Sequence, residues 1–82
     1  MEITVNGDST TIEKMSVLSY LRTLDIDPRR VAVELNLDIL PKVDYETTII
    51  NDGDRIEIVH FVGGGLYRVF RHFRGRLPWL RE

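Results

Sequence analysis

Asp52-Gly53-Asp54-Arg55-Ile56-Glu57-Ile58-Val59-His60-Phe61-Val62-Gly63-Gly64-Gly65 is the stretch that decides the fold of this chain. The Asp-Gly-Asp opening is a turn signal, because glycine enters backbone conformations that a Cβ forbids, and a run rich in Ile, Val and Phe follows it. Residues 55–62 therefore read as the clearest strand in the sequence. Strand parity places Ile56, Ile58, His60 and Val62 on one face, and Arg55, Glu57, Val59 and Phe61 on the other. The outer face changes from charged to apolar toward the glycines. Val59 and Phe61, with Val62 at the strand's end, form a candidate docking patch for a partner unless an adjacent loop or the following segment covers them. His60 reads as a structural strand residue, since a catalytic base needs an oriented partner and none is apparent.

Upstream, Glu2-Ile3-Thr4-Val5-Asn6 alternates polar and apolar residues, and Asn6-Gly7 is a strong hairpin signal because a type I′ turn needs positive φ at both central positions. Thr10 to Lys14 reads as the returning strand. Ser16 is placed to cap a helix with Val17, Leu18, Leu21 and Leu24 on one face, ending near Asp25 ahead of Pro28. Arg30 to Asn36 alternates again, with Val31, Val33 and Leu35 on its buried face. Ile39-Leu40 before Pro41 reads as a short extended piece. Val43 to Thr48 is ambiguous between irregular chain and a single helical turn around Tyr45. The order ββα, then β, an irregular stretch and a last β, predicts an α+β fold in which a hairpin wraps one helix and later strands complete a mixed sheet. That is the β-grasp arrangement.

The chain has 82 residues and no cysteine, so it is one small domain without disulfides, thiolate metal sites or a thiol nucleophile. His60 and His72 lack neighbours at metal-ligand spacing, and no metal site is expected. No apolar run suits a membrane span, and Met1-Glu2-Ile3-Thr4 does not open a secretory signal, so the expected location is cytoplasmic. The net charge of −2 is unevenly spread. Residues 1–65 hold 6 Lys and Arg against 12 Asp and Glu, net −6, while residues 66–82 hold 5 Arg against Glu82, net +4. Acidic charge on the globular part argues against nucleic-acid binding there, where phosphate neutralisation dominates affinity.

In Val31-Ala32-Val33-Glu34-Leu35-Asn36, Ile39-Leu40-Pro41-Lys42 and residues 52–65, in that order and spacing, the chain resembles the ThiS family, the ubiquitin-like sulfur carriers of thiamine biosynthesis. The resemblance covers residues 1–65 and implies a carrier rather than an enzyme. It also implies that the reactive group is the terminal carboxylate of Gly65, with Gly64 as its small neighbour and Gly63 as flexible spacer. The implied partners are a ThiF-like adenylyltransferase, which uses ATP, and a ThiG-like thiazole synthase that receives the sulfur. No cofactor is expected on the chain itself. A carboxylate is a poor electrophile until adenylation supplies a leaving group, and glycines let the terminus enter a tight tunnel.

This chain departs from the family's pattern by continuing 17 residues past Gly65. Gly65 therefore lies in a peptide bond, and charging it requires a protease to remove residues 66–82. In those residues Leu66, Val69 or Phe70, Phe73, Leu77 and Leu80 recur at three- to four-residue intervals among arginines, a basic amphipathic helical pattern interrupted by Gly75 and Pro78. Docking on the acidic domain and a disordered segment are favoured for it over contact with an anionic membrane or nucleic acid. The competing readings of the whole are a carrier for another pathway, such as a small subunit of molybdopterin synthase, and a non-catalytic β-grasp protein-interaction module.

Overall fold

The computed structural model describes residues 1–62 and 66–69. Among them run β1 (Glu2–Val5), β2 (Asp8–Thr11), α1 (Val17–Thr23), β3 (Val31–Leu35), β4 (Asp38–Leu40), β5 (Arg55–Val62) and β6 (Leu66–Val69). The strands form a mixed sheet in the order β2-β1-β5-β3-β4, with β6 also paired to β5. Among the described strand pairs, β1–β5 alone is parallel. This is the expected β-grasp.

Local chemistry sets each element. Asn6 and Gly7 turn the first hairpin at φ 47° and 88°, as the Asn-Gly signal predicts. The returning strand begins at Asp8 rather than Thr10, because a two-residue turn sets Asp8 directly opposite Val5. Ser16 caps α1 through its Oγ, which accepts from the Ser19 N–H at 3.1 Å. Val17 and Leu21 are buried as expected, but Tyr20 joins them while Leu18 and Leu24 are only partly buried. Asp25 at φ 58° takes the chain out of the helix before Pro28. The ambiguous stretch contains one tight turn, Lys42–Asp44, which plants Tyr45 in the core at 2 % exposure.

β3 returns into β4 through Asn36 and Leu37, at φ 52° and 76°. Leucine is a poor residue for that conformation, which is why the sequence shows only an extended piece here. The core lies between α1 and one face of the sheet. It gathers Ile3, Val5, Val17, Tyr20, Leu21, Ile26, Val31, Val33, Tyr45, Ile50, Ile56 and Ile58.

Residues 66–69 differ from the helical pattern. They pair antiparallel with β5, from Leu66 opposite Val62 to Val69 opposite Val59. That ladder supplies backbone hydrogen bonds along the edge of β5, which outweigh a helical preference already weakened by Gly75 and Pro78. Residues 70–82 lie outside the described residues.

Candidate functional site: the end of β5

β5 is the central strand, and each of its edges is extended by the side chain of a turn asparagine. On the β3 edge, Asn36 Oδ1 accepts from the Arg55 N–H at 2.9 Å, the Asn36 N–H donates to the Arg55 carbonyl at 2.8 Å, and Asn36 Nδ2 donates to Asp54 Oδ1 at 3.0 Å. On the β1 edge, the Asn6 N–H donates to the Ile56 carbonyl at 2.9 Å. The fully buried Asn6 side chain then accepts from the Ile58 N–H at 2.7 Å and donates to the Ile58 carbonyl at 3.3 Å. Its amide thus replaces one residue of backbone ladder where β1 has ended. Sequence reading took Asn6 and Asn36 as turn and strand-end residues, and nothing in local spacing signals that their side chains bind β5.

The outer face of the sheet, away from α1, carries Glu57 opposite Glu34 and Val59 opposite Ala32. Burial pushes the Glu57 carboxyl up, with a smaller contribution from Glu34 and partial opposition from Arg55. Val59, one residue of the candidate docking patch, is 1 % exposed although it lies outside the core cluster. In the whole chain β6 runs along β5 there, with Val69 opposite Val59. The side chains of Phe61 and Val62 lie outside the described residues, as do Gly63, Gly64 and Gly65. His60 is half-buried, opposite Val31 on β3 and Arg68 on β6.

Elsewhere, Asp27 caps the turn at Pro28–Arg30 and takes two side-chain hydrogen bonds from Arg29, at 3.1 and 2.9 Å. Those bonds, then the Arg29 N–H, hold its carboxyl down at about 2. A cleft of about 300 Å³ opens nearby between Leu18, Pro28, Lys42 and Tyr45. The exposed apolar side chains Leu37, Ile39 and Val43 lie on and beside β4, a patch that sequence reading did not single out. Among the described residues, no group of three or more His, Cys, Asp or Glu is placed to hold a metal ion. No helix among them is long and apolar enough to cross a membrane.

In sequence, β5 leads directly into Gly63-Gly64-Gly65. Residues 3–65 match the model of the ThiS family. The chain is similar to a thiazole synthase of Paramagnetospirillum magneticum, 46 % identical over 66 residues, which are 79 % of this chain but only 20 % of that protein. It is 40 % identical over 50 residues to the sulfur carrier protein ThiS of Bacillus subtilis, covering 61 % of this chain and 76 % of that one. Its fold is similar to the crystal structure of the thiamine biosynthesis protein ThiS from Geobacter metallireducens. The TM-score is 0.70 at 36 % identity, over 79 % of this chain and 100 % of the other.

Proposed function

The chain belongs to the ThiS family, and from that premise we propose that it is a sulfur carrier for thiazole formation whose working end is Gly65 once residues 66–82 are removed. The observation that carries this reading is a boundary: the family match stops at residue 65, the third glycine after β5 ends at Val62. The globular part is a scaffold, and its role is to present a terminus that another protein's active site acts on.

The chemistry proceeds in two displacements. A Gly65 carboxylate oxygen attacks the α-phosphorus of ATP held by a ThiF-like adenylyltransferase, and pyrophosphate leaves. Hydrosulfide then attacks the acyl carbon, the acyl–phosphate bond breaks and AMP leaves, giving the thiocarboxylate. ATP is bound by the partner, and its use accords with the expected cytoplasmic location. Gly63 and Gly64 serve because a Cβ would widen the thread that has to enter the partner. Similarity to part of a thiazole synthase favours a ThiG-like enzyme as the acceptor over a molybdopterin synthase subunit.

The test compares full-length protein with the 1–65 form in the presence of ATP, a sulfur donor and the adenylating enzyme, followed by intact mass. The shorter form should gain the adenylate and then exchange one oxygen for sulfur, while the full chain stays unchanged. Charging of the uncleaved chain at Gly65 would refute the proposal. So would normal sulfur transfer by a 1–65 form carrying both Gly64→Ala and Gly65→Ala.

A further inference from the structure

Strand β6 lies on the edge of β5 beside the proposed working end, and the way that edge is divided gives it a role. In the β3–β5 ladder Asn36 and Arg55 bond across a narrow pair, so alternation turns the amides of Glu57 and Val59 toward β3. The amides of Ile58, His60 and Val62 therefore face the opposite edge. Along that edge β1 takes Arg55 and Ile56, the Asn6 side chain takes both backbone groups of Ile58, and β6 takes Val59 to Val62. Asn6 ends one partner where the next begins.

We propose that β6 is an autoinhibitory cover. Resting on the sulfur-carrier reading, Leu66–Val69 occupies in cis the edge that must be open when Gly65 enters the adenylating partner. Pairing therefore restrains the unprocessed chain in addition to the peptide bond after Gly65. Two observations support this. Val62 and Leu66 are held opposite each other, so both flanks of residues 63–65 are tied to neighbouring strands, whereas a terminus entering another protein needs one of them released. Val59 is buried on the sheet face away from the core, and in the ladder Val69 of β6 stands opposite it.

The cover is built to detach. Alternation gives β6 two hydrogen-bonded residue pairs with β5, His60 with Arg68 and Val62 with Leu66, so it opens more readily than the β3–β5 ladder. The net charge of +4 on residues 66–82 against −6 on residues 1–65 keeps a detached extension near the domain.

Amide exchange in the full chain tests the contact without any sulfur chemistry. Arg68→Pro removes the N–H that bonds the His60 carbonyl, whereas Arg68→Ala removes the charge and keeps the ladder. The His60 and Val62 amides should exchange about tenfold faster in Arg68→Pro than in wild type or Arg68→Ala, with Glu57 and Val59 unchanged as internal controls. The same uncleaved Arg68→Pro chain should bind a ThiF-like adenylyltransferase about tenfold more tightly than wild type, since the competent fraction sets apparent affinity. Equal exchange at His60 and Val62 in wild type and Arg68→Pro, or equal affinity of the two chains for an enzyme that charges the 1–65 form, overturns the inference. Failure of the 1–65 form to be charged at all overturns the carrier reading instead, and the exchange difference would survive it.

Discussion

Asn6 concentrates the residue-scale physics of this molecule. It is fully buried, holds φ at 47° and satisfies both backbone groups of Ile58 through its side chain. Asn6→Gly keeps the turn and removes the two side-chain bonds, whereas Asn6→Ala removes them and keeps a Cβ in the left-handed region without the polar side chain that lets asparagine tolerate it. We expect urea denaturation to show losses of about 2 kcal/mol for the glycine variant and about 3 kcal/mol for alanine. Equal losses would mean that backbone strain contributes nothing. Asp27 gives a second residue-scale prediction. Its carboxyl, ordinarily near 3.8, is held down to about 2 by Arg29. A depressed acid stabilises the fold above its ordinary pKa, and that contribution disappears as pH falls from about 4 through about 2. Carboxyl NMR titration should find Asp27 near the lower value, and Arg29→Ala should return it toward the ordinary one.

At the scale of elements, the β3–β5 pair carries a like-charge contact, Glu34 opposite Glu57, on a partly buried face. The raised Glu57 pKa means that the folded state binds a proton more tightly than the unfolded state. Stability from this site is therefore greatest below the ordinary glutamate range and falls as pH rises through the raised value. Glu57→Gln should abolish that slope and raise stability at neutral pH by about 0.2–1 kcal/mol, the range for cross-strand charge pairs, as read from thermal unfolding at pH 4 and pH 7. The elements also differ in how plainly the sequence announces them. β5, the Asn6-Gly7 hairpin and the Ser16 cap rest on contacts a few residues apart, so local pattern finds them. The Asn36-Leu37 hairpin was missed because Leu37 sits where glycine is the usual signal.

At the scale of the molecule, every core-cluster residue among the described residues lies between Ile3 and Ile58, and an entire solved ThiS structure corresponds to 79 % of this chain. The 1–65 form should therefore fold cooperatively by itself, with a single urea transition. It should lose about 1–3 kcal/mol relative to the full chain, the worth of the β6 ladder. By itself the sequence determined the β-grasp order, the turn at Asn6-Gly7, the helix cap, and the position of the glycine run directly after the last strand of the domain. These are set by local backbone preference and by periodicity along single elements. Only the tertiary structure decided that Asn6 and Asn36 lend their side chains to β5, that Val59 is buried on the outer face, and that Leu66–Val69 is a strand. Each of those depends on which free edge comes beside which segment, and an edge exists only after strands distant in sequence have paired.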